Sequence, residues 1–428
     1  MSPDDDSTTM KICHLNTFDV QGGAARAMYR IHQGLVRAGA DSVVYTPNKT
    51  VDDARVLQHR PHRTLPQKLL NRIRFSGVAR EFGRYRKTRP AGLEQFSDDR
   101  TYHWRVLERQ LPPADLYHLH WIAGFLDVGS FMPMVGKPVV WTLHDMYALT
   151  GGCHYAMDCD AYTHECGHCP QLGSCDARDL AHASWQRKAR AYAHRSPTDL
   201  HIVAPSRWLQ GVARQSRLLR EFPVHCIPYG IDTAVFRPVA AEGLRSALGL
   251  LVEDRVVLFV ADGVGNPRKG FQALIDALHG LETPQTMVAL SIGPHPPRLQ
   301  LPFRHIHVGA ISSDGLLAAL YSLADLSVVP SLADNLPNVA LESLACGTPV
   351  VGFDAGGIPD MVRPGETGWL APVGRVQELR EALRVALADA STLRGYGQRC
   401  REVAEQEYTL GAQARAYAGL YAQVLGSA

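Results

Sequence analysis

Two carboxylates, Asp334 and Glu342, flank a predicted helix start in "PSLADNLPNVALESLACGTPVV" (Pro330–Val351). The preceding "LSVVPS" reads as a strand. Pro337 suits a first helical turn, Gly347 follows the last, and Pro349 prevents continuation, so the spacing predicts a helix over Pro337–Cys346. Such an N-terminus carries free N–H groups and about half a positive charge, which suit a diphosphate. Carboxylates do not bind phosphate, but they accept hydrogen bonds from hydroxyls. A ligand with a phosphate core and a sugar at each end fits the order hydroxyl, phosphate, hydroxyl. The plainer alternative makes Asp334 a turn cap and Glu342 a solvated helix residue. In "GNPRKGFQALIDAL", Arg268 and Lys269 fall in a strand-to-helix turn. Two cations there can neutralise a diphosphate; taken alone, they read as a surface turn.

The elements that must position these groups form two series of apolar strands alternating with helices. Strands are predicted at Lys11–Thr17, Leu116–Ile122, Pro138–Asp145 and His201–Ser206, then at Arg255–Ala261, Met287–Gly293, His305–Ile311, Leu326–Ser331 and Pro349–Phe353. Apolar strands separated by helices imply parallel sheets buried on both faces. With 428 residues, too many for one core, the chain reads as α/β with two Rossmann-like doubly wound domains facing across a cleft. Residues 1–230 form the first domain, with a Cys-rich loop at 151–176. Residues 231–405 form the second, and the joint lies in "CIPYGIDTAVFRP" (Cys226–Pro238). His118 and His120 in "LYHLHW" are expected to alternate to opposite sides of their strand and to be structural.

A net charge of +2 carries no bias toward nucleic acid, and no apolar run approaches the ~20 residues that span a bilayer. The leader "MSPDDDSTTMK" lacks signal-peptide character, so the chain is placed in the cytosol, folding from near Lys11. Nine cysteines are present, and Cys153, Cys159, Cys166, Cys169 and Cys175 crowd together with His154, His164 and His168 among them. In a cytosolic chain that density favours metal over disulfides. Cys153, Cys159, Cys166 and Cys169 could close a structural tetrahedral Zn²⁺ site, with Cys175 or a histidine able to replace one ligand. Free thiols, or a disulfide formed after purification, are the alternatives. From Arg60 to Arg89 basic residues recur against the single acid Glu81, interleaved with Leu69, Leu70, Ile73 and Phe75. A basic amphipathic segment can lie on an anionic membrane, and a solvated helical hairpin is the other reading.

The order of "PSRW", "IPYGID", "PRKG", "PSLADNLPNVALESLACGTPVV" and "DAGGIPDMVRPGETGWL" resembles the retaining glycosyltransferases of family 4, which have the GT-B fold. The phrases "HLHWIAGF" and "WTLHDMYALTGGCHYAMDCDAYTHECGHCPQL" resemble the branch that makes bacterial exopolysaccharides of the colanic-acid type. The resemblance implies that Glu342 holds the ribose of a nucleoside-diphosphate sugar and that Asp334 contacts the transferred hexose. Asn335, Leu336, Pro337 and Asn338 would bring backbone to sugar and phosphates. Lys269 and Arg268 would neutralise the leaving group, and Gly22 and Gly23 would let a loop approach the phosphates. His144 would steady sugar or acceptor, or else be a structural histidine capping a strand end. No metal is needed for the phosphates. The implied acceptor is a glycan on a polyprenyl diphosphate, with residues 60–89 against the inner membrane face. By the same analogy, residues 406–428 form a helix crossing back to the first domain.

Three departures stand out. Asp334 replaces the usual Glu, an Arg often found after the strand before "PRKG" is missing, and Tyr229 stands where Asn is common. Two other readings remain: the same fold acting on a small natural-product acceptor, or a non-catalytic binder of nucleotide sugar or glycan.

Overall fold

The computed structural model describes residues 10–60, 64–101, 110–260, 265–283, 285–297 and 300–426. The leader through residue 9, Arg63 and Ala261–Val264, within which the missing-Arg departure falls, lie outside the described residues. Among the described residues, thirteen strands form two sheets, parallel throughout. The first comprises β1 (Lys11–Leu15), β2 (Asp41–Thr46), β3 (Val56–Gln58), β4 (Leu116–Leu119), β5 (Val139–Thr142), β6 (Leu200–Ala204) and β7 (Val224–Cys226). The second comprises β8 (Arg255–Val260), β9 (Met287–Ile292), β10 (Arg304–His307), β11 (Leu326–Val329), β12 (Val350–Phe353) and β13 (Gly368–Ala371).

The first sheet runs β3-β2-β1-β4-β5-β6-β7 and the second β10-β9-β8-β11-β12-β13. Strand order therefore reverses between β1 and β4 and between β8 and β11, where crevices open at the carboxyl ends of such sheets. Central strands are buried along their length because helices cover both faces. The edge strands β3, β7 and β13 are short, and their sequences lack the apolar runs that announce the others. Several central strands end two or three residues earlier than their apolar pattern suggests, β4 at Leu119 and β5 at Thr142. The residues that follow turn out into the cleft.

The final helix, Leu410–Gly426, leaves the second domain and packs on the first. Its Tyr417, Leu420, Tyr421 and Val424 share a core with Ile12, Ile31, Leu35 and Leu116. Each buried aromatic removes on the order of 200 Å² from water, so the helix is a substantial tie between the halves.

Candidate active site

The helix holding Glu342 spans Asn338–Ala345, with Pro337 as its N-cap at φ −65° and no side-chain cap. Its opening N–H groups belong to Asn338 and Val339, which line a cleft of about 670 Å³ between the sheets. That volume suits a small-molecule ligand. Asp334, Asn335, Leu336, Pro337, Asn338, Glu342, Arg268, Lys269, Gly22, Gly23 and His144 all line it.

Asp334 and Glu342 are 7% and 4% exposed, so Glu342 is not a solvated helix residue. Glu342 accepts a hydrogen bond from Arg30 at 2.7 Å and another from Tyr321 at 3.3 Å. Arg30, itself buried, comes from the helix Gly23–Arg37 of the first domain, so the pair crosses the cleft. Asp334 takes hydrogen bonds from Lys269 at 2.8 Å, Arg268 at 3.3 Å and the backbone of Asn335 at 3.0 Å. Burial would push this carboxyl up, but Lys269 and Arg268 outweigh it and hold the pKa below the ordinary value. Asp334 thus remains an anionic acceptor.

The two cations differ. Arg268 is buried, paired with Glu94, bonded to the carbonyl of Ala333 at 2.6 Å, and seated 4.0 Å over the ring of Tyr155. Its charge is already met by Glu94 and Asp334, so it braces the site. Lys269 keeps a 38% exposed side chain and is the cation available to the cleft.

Asn335 spans the domains through its side chain. Its amide donates to the carbonyls of Leu143 and His144 at 3.1 and 3.2 Å, and its oxygen accepts from Ser206 at 2.7 Å. Asn338 donates to the carbonyl of Gly23 at 3.1 Å, beside Gly22, whose φ of +87° favours glycine. A Cβ at Gly357 would lie 1.8 Å from the carbonyl oxygen of Asn335, so the "DAGG" loop can support the Asp334–Asn335 turn only as glycine.

His144 lies at the cleft wall with both ring nitrogens engaged, Nδ1 with Tyr229 at 2.7 Å and Nε2 with His120 at 3.1 Å. Burial lowers its pKa to about 4 against the opposing pull of Asp145, so the ring is neutral. His118 and His120 do not face opposite sides: residues two apart along a strand share a face, and their ring centroids are 4.0 Å apart. Beside them Asp145 accepts from Trp121 at 2.9 Å and pairs with His154 at 2.6 Å, and all three line the cleft. Arg30, Glu94 and the Asp145–His154 pair were not singled out from sequence. The Asp after "WTLH" and the Arg two turns into the glycine-initiated helix are the available signals.

Cys153, Cys166 and Cys169 are buried, Cys159 is partly buried, and all are free thiols in one loop core. Burial raises the pKa values of Cys153, Cys166 and Cys169, to about 12 for Cys166 and about 11 for Cys169, and the neighbouring thiols push the same way. They are not gathered at ligand spacing. Among the described residues, the potential ligands whose donor atoms lie within 4.8 Å of one another are His14, His118 and His120. As they stand, the thiols pack against apolar neighbours of that core.

The family model described as "Glycosyltransferase Family 4" matches residues 21–235, and that for "Glycosyl transferases group 1" matches residues 254–389. D-inositol 3-phosphate glycosyltransferase of Mycobacterium tuberculosis is 36% identical over 166 residues, covering 36% of this chain and 34% of that protein. The chain thus matches about a third of the length of this relative. Sucrose-phosphate synthase from Thermosynechococcus elongatus superposes with a TM-score of 0.67 at 21% identity, over 98% of this chain and 100% of that one. Anabaena HepE, solved with UDP and glucose, superposes with a TM-score of 0.65 at 18% identity, over 96% and 99%. The architecture is GT-B, two parallel-sheet domains facing across a cleft.

Proposed function

This chain belongs to glycosyltransferase family 4, and on that premise we propose that it transfers a hexose, with retention, from a nucleoside-diphosphate sugar to a glycan acceptor. One observation carries the reading: two buried carboxylates, Asp334 and Glu342, stand on either side of an uncapped helix N-terminus in a cleft of ligand size. Glu342 accepts the ribose hydroxyls, and Asp334 accepts a hydroxyl of the transferred sugar. The N–H groups at Asn338 and Val339, with Lys269, meet the diphosphate. As the anomeric bond breaks, negative charge grows on the β-phosphate, and these preorganised groups stabilise it without reorganising. The acceptor attacks from the face the leaving group vacates, and the departing phosphate takes its proton. HepE binds UDP and glucose, which makes a UDP-sugar the first donor to try.

The acceptor in this reading is lipid-linked, as in exopolysaccharide assembly. The helix Leu65–Gly83 supports it: Leu65, Leu69, Leu70 and Ile73 are 80%, 61%, 54% and 63% exposed, with Lys68 and Arg72 exposed among them. An apolar stripe among cations complements an anionic lipid surface. No helix among the described residues is long and apolar enough to cross a membrane.

The cysteine loop belongs to the proposal as a structural Zn²⁺ site. Its support is the mutual proximity of Cys153, Cys159, Cys166 and Cys169, the N–H of Gly151 donating to the Cys166 sulfur at 3.2 Å, and the buried ammonium of Lys188 near Cys166 and Cys153. Zinc binding would require the sulfurs to draw closer than they stand.

The test is calorimetric titration with UDP, GDP, ADP and dTDP. Selective binding of one supports the donor reading. Binding of none, by folded protein, refutes it in favour of a degenerate domain.

A further inference from the structure

A chain of buried hydrogen bonds runs from the first-domain core to the cleft. His14 Nδ1 meets His120 Nε2 at 2.9 Å, His120 Nδ1 meets His144 Nε2 at 3.1 Å, and His144 Nδ1 meets the Tyr229 hydroxyl at 2.7 Å. At the far end, His14 Nε2 is buried with no hydrogen-bond partner among the described residues. At the near end, Tyr229 lines the cleft with Asp334 and Tyr155, and His144 is the hydroxyl's one hydrogen-bond partner among the described residues.

His14, His118 and His120 are close enough to share a metal. However, His118 is already bonded to Tyr421 and Thr142, and His120 to His14 and His144. The cluster therefore reads as a hydrogen-bonded chain.

Its direction can be worked out. Burial keeps the rings neutral, so each imidazole has one N–H and one bare nitrogen. In a chain of such rings one choice fixes all the others. If Tyr229 donates to His144, every ring passes its proton inward from Nε2, and His14 is left with an orphaned buried N–H. If the chain runs the other way, every ring donates from Nδ1 toward the cleft, and His14 is left with only a bare lone pair. Orphaned buried N–H groups are the rarer fault in proteins, which favours the second direction. In that direction the Tyr229 oxygen accepts from His144, and its own O–H is free to donate into the cleft.

We propose that Tyr229 donates a hydrogen bond to a hydroxyl of the donor sugar, and that His14, His120 and His144 are positioning residues that hold it as a donor. This rests on the nucleotide-sugar reading above. It also gives a role to the tyrosine that stands where the family commonly has asparagine, and it explains why His144, with both nitrogens engaged, acts through its neighbour.

Two measurements test it. Two-bond ¹H–¹⁵N correlation spectra of protein labelled at histidine should show protonated Nδ1 on His14, His120 and His144; protonated Nε2 on His144 overturns the proposal. Tyr229→Phe keeps the ring stacked on His144 and removes only the O–H. Titrations use UDP-glucose, GDP-mannose, ADP-glucose and dTDP-glucose, each beside its free diphosphate, taking the one the unaltered protein binds. The variant should bind that sugar nucleotide roughly 3- to 10-fold more weakly. Its affinity for the free diphosphate should change less than about 2-fold, within the scatter of a surface-neutral change. Equal loss of both, or loss of neither, overturns the sugar contact. Unaltered protein that binds no sugar nucleotide refutes the donor reading and the sugar contact with it, while the spectra still decide the direction of the chain.

Discussion

Glu342→Gln is the most informative single change, because two effects of different size meet at that carboxylate. Hydrogen bonds to a charged acceptor contribute about 1.5–3 kcal/mol. Glutamine keeps one acceptor oxygen but loses the charge, so nucleotide affinity should fall about 10- to 100-fold. The same change also strands Arg30, which is 6% exposed and 2.7 Å from Glu342. Leaving one partner of a buried pair uncompensated costs about 3–5 kcal/mol. Because the pair crosses the cleft, the chain can relieve that cost by opening, which would weaken nucleotide binding by itself. Arg30→Met with Glu342→Gln separates the two, since the double variant holds no stranded charge. Calorimetry with the nucleotide that the unaltered protein binds is the assay, with thermal unfolding as the control. The reading requires the double variant to stay at least about 10-fold weaker than the unaltered protein. Recovery to within about 2-fold would show that Glu342 serves Arg30 and domain closure, and would refute its assignment to the ribose.

Asp334 is held below its ordinary pKa, so its contribution to stability is complete above about 4 and is lost as pH falls through the lower folded value. Lys269→Met removes a cation at 2.8 Å, so acid unfolding followed by circular dichroism should begin at higher pH in that variant. Gly357→Ala places a methyl 1.8 Å from the Asn335 carbonyl oxygen; thermal unfolding should show a loss of at least about 2 kcal/mol, and an unchanged midpoint would contradict the backbone packing. Elemental analysis of protein purified without chelator should find zinc near stoichiometric and lost in Cys166→Ser; metal-free protein with titratable thiols would leave the cysteines as core residues. Sedimentation with vesicles containing phosphatidylglycerol should pull down the protein, and Leu69→Glu with Ile73→Glu should release it; equal behaviour toward neutral vesicles would sink the membrane surface.

What the sequence carried and what it withheld divide along the cleft. Each sheet was legible because strand runs such as "RVVLFV" and "MVALSI" are local signals, set by burial on both faces. The helix after Asp334 was legible because Pro337 and Gly347 punctuate it, and its bounds shifted by only one residue at each end. The two carboxylates followed from that helix. Arg30 did not, because its meaning depends on Glu342, 312 residues away, and Glu94 did not, because it meets Arg268 across 174 residues. Local sequence makes Arg268 a phosphate ligand for the same reason: only the first domain supplies the Glu94 that pairs with it. The histidines show a third kind of limit. Residues two apart along a strand share a face, so His118 and His120 stand together rather than on the opposite sides expected, but no periodicity tells which nitrogen carries the proton. That follows only from the last unsatisfied atom of the chain, His14 Nε2, at the end farthest from the cleft. A polar group deep in one domain thereby decides whether Tyr229 offers the ligand a proton or a lone pair, so substitutions at His14 should change ligand preference at the cleft wall without touching it.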